Sequence, residues 1–378
     1  MKFEEFKSGK YLLQNNYKSF SPAKINTAWS WTDGKVNTLL AEANRKLGSL
    51  DAFSLNVPDI DTFIEMHVAK EATKSSRIEG TQTELEETFR KSMDIAPERK
   101  NDWHEVHNYI EAMNTSISKL KTLPLSTRLL KEAHKILMGG VRGEYRNPGE
   151  FRISQNWIGG ATLKDAVYVP PVHTEINELM SDLESFLHNT QLDVPVLIRA
   201  GIAHYQFETI HPFLDGNGRI GRLLITLYLV SSGLIMKPSL YLSDYFERHR
   251  QLYYDNLNNV RIKNNLTQWI KFFLVGIIET SENGIDTFKA ILTLKEQIED
   301  KKIITLGKKL PSAKLLLKYL FRKPILNVND VQDELKVSSP TANSILTDFE
   351  RLEIISEKTG WKRNREFEFT DYLKLFTK

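Results

Sequence analysis

Residues 211–222 read His-Pro-Phe-Leu-Asp-Gly-Asn-Gly-Arg-Ile-Gly-Arg, a polar segment between two apolar stretches with helical spacing. Gly216, Asn217 and Gly218 can adopt conformations that turn successive backbone N–H groups toward one anion. A helix that begins at this point adds the positive end of its dipole. The segment therefore predicts a phosphate-binding turn at a helix N-terminus.

Two arginines follow this turn at helical spacing. Arg219 and Arg222 are three residues apart, so they share one face of a helix behind the turn. Each guanidinium can donate two parallel hydrogen bonds to a phosphate group. The pair indicates a ligand with more than one phosphate.

Two further side chains complete a possible reaction centre. Asp215 offers a hard oxygen ligand, and Mg²⁺ is commonly held by one or two carboxylates together with nucleotide phosphates. His211 titrates near neutrality and can accept the proton of an attacking hydroxyl. Taken alone, each is more often a cap or a turn residue. Together with two arginines they favour a functional site.

Other nucleotide and metal motifs do not fit. Gly216–Gly221 resembles a dinucleotide fingerprint, but the preceding stretch is helical where that motif needs a strand. The chain has no Walker-type Gly-Lys-Ser/Thr, and His104 and His107 have the wrong spacing for a zinc protease of the His-Glu-x-x-His type. We therefore reject these three classes.

Length and composition limit the number of domains and the class of protein to which this segment belongs. The chain has 378 residues, and at about 150 residues per domain it should form two or three domains. Its 41% hydrophobic and 26% charged residues are typical of globular proteins, and the net charge of +3 leaves the partner open. The absence of cysteine excludes disulfides, cysteine-based metal sites and thiol nucleophiles, and fits a reducing compartment. With no signal-peptide pattern and no apolar membrane span, we expect a cytoplasmic protein with no membrane partner.

The remaining pattern predicts a mainly α fold. Apolar spacing predicts helices at 35–47, 59–73, 101–119, 125–138, 173–188, 193–209, 219–232, 243–260 and 265–280. The second of these opens with Pro58 and Asp59. Short β-type runs at 149–172, around two adjacent glycines and before two prolines, predict a hairpin or flap. A lysine-rich connector then leads to a domain boundary near residue 305.

The C-terminal part resembles a winged helix-turn-helix. Helices are expected at 312–321, 328–336 and 341–352, with strands at 353–357 and 365–370. The helix at 341–352, which would contact DNA in such a domain, is too acidic for a typical DNA-binding helix. Four basic residues nevertheless cluster on the wing: Lys358, Lys362, Arg363 and Arg365. A packing or dimerisation module is favoured over DNA contact. The expected domains are 1–95 (N-terminal helical segment), 96–285 (catalytic core), 286–310 (linker) and 311–378.

The 211–222 segment resembles the core motif of Fic-domain proteins, His-x-Phe-x-Asp/Glu-Gly-Asn-Gly-Arg-x-x-Arg, at every position. The resemblance covers about residues 59–285. It includes Gly143-Glu-Tyr-Arg146, Gly149-Glu-Phe-Arg152, Gln155-Asn-Trp-Ile-Gly159 and Tyr168-Val-Pro-Pro171. It implies a Fic helical bundle with a small β-hairpin flap and transfer of AMP from ATP to a protein hydroxyl, with Mg²⁺ required and pyrophosphate released.

The resemblance also implies roles for single residues. His211 would be the base, Phe213 a packing anchor and Asp215 the metal ligand, while Tyr253 would line the adenine pocket. The implied phosphate-binding residues are Asp215, Gly216, Asn217, Gly218, Arg219, Ile220, Gly221 and Arg222. The implied flap, in contact with target and nucleotide, is Ile158, Gly159, Gly160 and Ala161.

A second pattern of the family is an inhibitory Ser/Thr-x-x-x-Glu followed by Gly or Asn, which Ser75, Glu79 and Gly80 match. Without the resemblance, these residues would be taken as a helix C-terminus with Gly80 in the left-handed region. With it, we expect Glu79 to compete with the γ-phosphate for Arg222, because one guanidinium cannot serve both and a carboxylate repels the triphosphate.

Three questions stay open at this stage. The transferred group could instead be UMP, phosphocholine or phosphate, although the intact motif favours AMP. The chain could also be a DNA-binding regulator whose Fic core only senses a ligand. The acceptor can be Ser, Thr or Tyr of the protein itself or of another protein, and relatives of this length suggest a homodimer.

Overall fold

A computed structural model describes residues 1–57, 60–141, 145–361 and 364–377. The helix-start residues Pro58 and Asp59, the pair Gly143 and Glu144, and the wing residues Lys362 and Arg363 lie outside this description. The chain opens with an antiparallel hairpin, β1 (Gly9–Leu13) and β2 (Lys18–Pro22), which the sequence analysis did not predict.

The part that follows is a helical bundle, as predicted. Its helices are α1 (Gly34–Asn56), α2 (Ile60–Ile78), α3 (Lys100–Lys119), α4 (Thr127–Leu137), α5 (Ile176–His188), α6 (Val196–Ile210), α7 (Asn217–Ser231), α8 (Ser243–Arg248), α9 (Arg250–Lys263) and α10 (Leu266–Gln297). Short 3₁₀ turns lie between α2 and α3 and before α5. Among the described residues, no helix has the length and apolar content needed to span a bilayer.

Helices α6 and α7 form the centre of the bundle and pack against each other. Every residue of α6 from Leu197 to Ile210 is buried, which is the behaviour of a helix surrounded by other helices. Helix α7 is similarly buried over most of its length. The loop that joins them is the polar segment at 211–216, so the core of the fold holds this loop in place.

Two helices differ from their predicted bounds. The helix predicted at 243–260 is broken at His249 into α8 and α9. Helix α10 continues to Gln297, so the predicted core boundary at 285 falls inside a continuous helix. Beyond it, the chain turns at Gly307, whose φ of 53° and ψ of −117° interrupt the helical path.

The C-terminal part contains α11 (Leu310–Arg322), β3 (Ile325–Asn327), α12 (Val328–Leu335), α13 (Ser339–Arg351), β4 (Ser356–Glu357), β5 (Glu366–Glu368) and α14 (Thr370–Leu373). Its strands form an antiparallel sheet in the order β3-β5-β4. The three predicted helices are present, and β3 before α12 is an additional strand. Asn327 caps α12 in a reciprocal pair with Asp330. We call residues 310–377 the C-terminal domain.

Candidate active site

The loop between α6 and α7 is held in one conformation by its own side chains. His211 ends α6 in the left-handed region, with φ of 51°, and Gly216 adopts φ of 74° just before α7. The Asn217 side chain accepts from the Phe213 N–H and donates to the Phe213 carbonyl, both at 2.8 Å. These bonds fix the Asn217 side chain on the loop that precedes α7.

His134 of α4 packs against this loop, and the sequence analysis did not identify it as a residue of the site. Its ring stacks on Phe213, with centroids 3.8 Å apart, and is fully buried. The Gly149 N–H donates to Nδ1 at 2.9 Å, so Nε2 carries the proton and donates to the Asp215 carbonyl at 3.0 Å. Burial lowers the pKa of His134 to about 4, which keeps this neutral form at physiological pH.

Arg152 fixes the backbone on either side of His211. It is 1% exposed and its guanidinium donates to the carbonyls of His211 (3.0 Å), Ser154 (3.1 Å), Pro171 (2.5 Å) and Ile210 (3.5 Å). Burial lowers the pKa of Arg152 to about 10. The side chain thereby ties both ends of the 154–171 flap to the end of α6.

His211 lies in this frame as a neutral imidazole. Burial lowers its pKa to about 4, and the nearby cations Arg261 and Arg152 add to the effect. Its Nδ1 is buried and has no hydrogen-bond partner among the residues described. An unprotonated imidazole at neutral pH has the form that a general base requires.

The two motif arginines are both buried but have different partners. Arg219 pairs with Glu105 of α3 at 3.0 Å, where both side chains are less than a tenth exposed. Arg222 donates through Nε to the Ser75 hydroxyl at 2.8 Å and through Nη2 to the Ser75 carbonyl at 2.9 Å. The same Nη2 donates to Glu79 Oε1 at 2.6 Å.

The structure therefore brings Ser75, Glu79 and Arg222 together, although they are far apart in sequence. Burial disfavours both charges of the ion pair, but each partner stabilises the other. As a result the pKa of Glu79 is lowered and that of Arg222 is raised. A Cβ atom on Gly218 would lie 2.1 Å from Glu79 Oε1, so the carboxylate rests directly against the glycine backbone of the turn.

The flap is a loop closed by a single antiparallel bridge, which is less regular than the predicted hairpin. Ile158 N–H donates to the Tyr168 carbonyl at 2.8 Å, and the reverse bond is 3.1 Å. Gly159 and Gly160 have φ of 68° and 72°, and a Cβ on Gly160 would lie 2.4 Å from the Asp165 carbonyl. The two glycines allow a turn too tight for continued strand pairing.

Tyr253 lies inside the protein and not on an open surface. It is 1% exposed, its hydroxyl contacts His204 Nε2 at 2.9 Å, and its ring stacks on Phe246 at 4.5 Å. The next residue, Tyr254, is 40% exposed, and burial and the Glu79 carboxylate raise its pKa. The adenine-pocket role of Tyr253 stays a prediction, and Tyr254 is the exposed aromatic beside Glu79.

Glu208 is a second buried carboxylate at the site, which the sequence analysis missed. A Cβ on Gly221 would lie 2.1 Å from its Oε1, and this oxygen has no hydrogen-bond partner among the described residues. Burial raises the pKa of Glu208 to about 7, and Arg222 partly opposes the shift. An acidic residue inside the apolar pattern of α6 was the signal that could have identified it.

The side chains next to the turn could hold a divalent cation only together with a ligand. Within the described ranges, no three His, Asp or Glu side chains are grouped as a protein-only metal site. Asp215 is exposed and its Oδ1 accepts from the Gly216 N–H at 2.6 Å. One exposed carboxylate beside a phosphate-binding turn fits Mg²⁺ that arrives with a nucleotide.

Comparison with known sequences agrees with this geometry. Residues 37–118 match the family described as Fic/DOC family N-terminal, and residues 124–229 match the Fic/DOC family. The protein adenylyltransferase Fic of Aedes aegypti is 34% identical over 159 residues, which are 42% of this chain and 28% of that protein. The protein of the same name from Culex quinquefasciatus is 32% identical over 160 residues, with the same coverage. The chain thus matches less than a third of the length of these curated relatives.

Solved structures have the same fold. A Fic family protein from Desulfovibrio desulfuricans superposes with a TM-score of 0.57 at 22% identity, covering 89% of this chain and 96% of that one. A Fic domain containing signaling protein from Bacteroides thetaiotaomicron gives 0.54 at 18% identity, covering 68% and 97%. At these identities the likeness concerns the fold alone.

Proposed function

Because the chain is a Fic-domain protein, we propose that it is a protein adenylyltransferase that transfers AMP from ATP to a Ser, Thr or Tyr hydroxyl, its own included. The hydroxyl oxygen attacks the α-phosphorus, the bond from this phosphorus to the β-bridging oxygen breaks, and pyrophosphate leaves. The names of the two mosquito relatives support this activity.

In this proposal His211 accepts the proton of the hydroxyl. It is neutral because its pKa lies at about 4, and Arg152 holds its backbone at the end of α6. The flap that Arg152 ties to the same point would position the target segment, with Ile158 to Ala161 at its edge. When the target hydroxyl is held beside the base, proton transfer and attack on the phosphorus take place within one complex and in a fixed orientation.

The turn before α7 would bind the triphosphate. The backbone N–H groups of Gly216, Asn217 and Gly218 at the start of the helix would donate to the anion, that of Gly216 after it has left Asp215 Oδ1. Arg222 would bind the terminal phosphate once Glu79 has left it. Mg²⁺, when bound with the nucleotide, would be held by Asp215 and would neutralise phosphate charge. Tyr254 is suitably exposed to stack on a base.

The observation that carries the proposal is the ion pair of Glu79 with Arg222 in front of a neutral His211. The carboxylate lies against Gly218, where a phosphate oxygen would need to approach, and it occupies Arg222 Nη2 at 2.6 Å. We therefore propose that the described state is inhibited in cis by Glu79, with Ser75 as the second partner of Arg222.

The test is intact-mass spectrometry and peptide mapping after incubation with ATP and Mg²⁺. We expect Glu79→Gly to gain mass corresponding to AMP at least tenfold faster than wild type, and Glu79→Gly/His211→Ala to gain none. The matched control is Glu5→Gly, because Glu5 pairs with Lys2 at 3.3 Å on the surface and not with Arg222. If no variant gains mass from ATP, even with cell extract as target, UTP, CTP and a phosphocholine donor become the candidates. Equal rates in Glu79→Gly and wild type, with ATP bound, would contradict the inhibitory role.

The homodimer and the cytoplasmic location expected from the sequence stay predictions. DNA binding through the C-terminal domain stays the alternative to the favoured packing or dimerisation role, because the helix that would read DNA is acidic while the wing is basic. A band shift with duplex DNA that weakens steeply with salt would support it.

A further inference from the structure

The C-terminal domain packs against the helix that carries Ser75 and leads to Glu79. Phe63 of α2 meets Phe321 of α11 edge to face, with centroids 5.4 Å apart. One helical turn further, His67 meets Phe376 near the chain end at 5.1 Å. Phe63, Phe321 and Phe376 are at most 2% exposed, so these contacts form a buried apolar anchor.

The same domain also contacts the chain on the other side of Glu79. Arg90 donates to Glu366 of β5, through Nε at 3.1 Å and Nη2 at 2.9 Å. The adjacent Lys91 pairs with Asp330 of α12 at 3.4 Å. These contacts form a polar anchor about a dozen residues after Glu79 in the sequence.

We define residues 60–91, from the start of α2 to Lys91, as the Glu79 segment. Its two anchors fix both ends on the C-terminal domain while its middle places Glu79 on Arg222. Gly80 has φ of 105°, and a Cβ there would meet nothing within 4 Å, so the backbone has free space at this point. Movement of the chain around Gly80 would carry Glu79 away from Arg222, and this movement is restricted as long as both anchors hold.

The two anchors differ in how easily they separate. The apolar anchor is buried, whereas the side chains of Arg90 and Glu366 are 32% and 19% exposed. A polar cleft of about 620 Å³ lies between residues 89–94 on one side and β3 with the start of α12 on the other. Polar, partly hydrated contacts between domains are typical of interfaces that open. The polar anchor is therefore the point of release.

We propose that the C-terminal domain holds Glu79 on Arg222, and that opening of its contacts with Arg90 and Lys91 releases the inhibition. The proposal rests on the adenylyltransferase function and on the role of Glu79 set out above. It assigns the C-terminal domain to control of the nucleotide site, whatever partner that domain binds.

The test is a charge-exchange cycle at the polar anchor in the full chain. Arg90→Glu and Glu366→Arg each place like charges opposite one another, whereas the double variant restores an ion pair in reverse. We expect each single variant to modify itself with AMP at least fivefold faster than wild type, and the double variant to return within twofold of it. Arg351→Glu is the control, because Arg351 is exposed and, among the described residues, pairs with Asp348 three residues earlier on the same helix. In a Glu79→Gly background the same changes should leave the rate unaltered within twofold.

Hydrogen–deuterium exchange of the nucleotide-free proteins tests the anchor without any enzymatic activity. Amides at 79–91 should exchange faster in the single variants and not in the double variant or in Arg351→Glu. Unchanged exchange, or unchanged rates in single variants while Glu79→Gly is active, would overturn the proposal. If Glu79→Gly itself transfers no AMP, the proposed function fails, and the exchange data alone still decide whether the anchor holds the segment.

Discussion

Arg152 shows how one buried cation can set the geometry of the proposed reaction centre through backbone carbonyls alone. Its guanidinium serves four carbonyls, two on the flap and two at the end of α6. Lysine keeps the charge but has no planar fork, so it cannot serve both segments at once. In a Glu79→Gly background, we expect Arg152→Lys to lower kcat at least tenfold and to change ATP affinity less than threefold. Kinetics and calorimetry on the folded variant measure the two quantities, and Arg128→Lys on the surface of α4 is the control. Equal losses of kcat and of ATP affinity would show that Arg152 acts on nucleotide binding.

His211 makes a pH prediction with a definite sign. Burial lowers the pKa to about 4, so the imidazole becomes protonated, and useless as a base, only in strongly acidic solution. Titration of His211 should therefore not change the transfer rate of Glu79→Gly between pH 6 and 8, and the rate should fall with a midpoint at or below about 4. Removing Glu79 lowers the pKa further, because its carboxylate favours the imidazolium. A midpoint near 6.5, the ordinary histidine value, would contradict this environment.

At this scale the sequence predicted residues within the motif and missed those that reach it from elsewhere. Chemical roles could be assigned to His211 and Asp215 because they lie in one short segment, and to the two arginines because they share a helix face. His134 and Arg152 could not, because their roles depend on distant partners: the Asp215 carbonyl is 81 residues from His134, and the His211 carbonyl is 59 residues from Arg152. The pairing of Glu79 with Arg222 was predicted only through the family pattern, since nothing local brings these residues together.

At the scale of elements, the function proposed for the start of α7 depends on residue 218 being a glycine, which has no side chain. The backbone of Gly218 is covered by the Glu79 carboxylate, and Arg222 Nη1 lies 3.0 Å from where a Cβ would be. In a Glu79→Gly background, we expect Gly218→Ala to weaken ATP binding at least tenfold, about 1.4 kcal/mol, because the methyl group fills the space of the phosphate. Calorimetry measures this, and Gly48→Ala, where a Cβ on α1 meets nothing within 4 Å, is the control. Unchanged affinity would mean that the phosphate does not approach this glycine.

Helices of the core were predictable because their apolar spacing is long and regular, as in α3 and α5. The N-terminal hairpin was not, since each strand has only five residues without a regular apolar alternation and since tertiary contacts hold it. The Phe20 N–H donates to the Val169 carbonyl at 2.9 Å, a contact no local pattern shows. Helix α10 was predicted to end at 280, whereas it continues past Gly284 to Gln297. Gly284 allows α1 to pack closely, because a Cβ there would lie 3.1 Å from Leu50.

For the whole molecule, buried histidines predict loss of stability in mild acid. Burial lowers the pKa of His67 and His204 to about 3 and of His134 to about 4, whereas the unfolded value is 6.5. The unfolded chain thus binds more protons below about pH 6.5, so the stability that neutral histidines contribute is complete above this pH and is lost as the pH falls toward 4. At pH 5 each histidine lowers the free energy of unfolding by about 2 kcal/mol, at 1.36 kcal/mol per pH unit. Glu208, whose pKa is raised to about 7, opposes the loss by a similar amount, because the folded state takes up its proton first.

The net expectation is a fall of several kcal/mol between pH 7 and 5, measured by urea unfolding at both values. His204→Gln should flatten this dependence by about 2 kcal/mol, because glutamine has no proton to bind. It also removes the hydrogen bonds of His204 to Gly221 and Tyr253, which lowers stability at every pH and leaves the slope as the informative quantity. If His204→Gln has the wild-type slope, the ring at 204 does not titrate on unfolding and the buried, neutral state assigned to it is wrong.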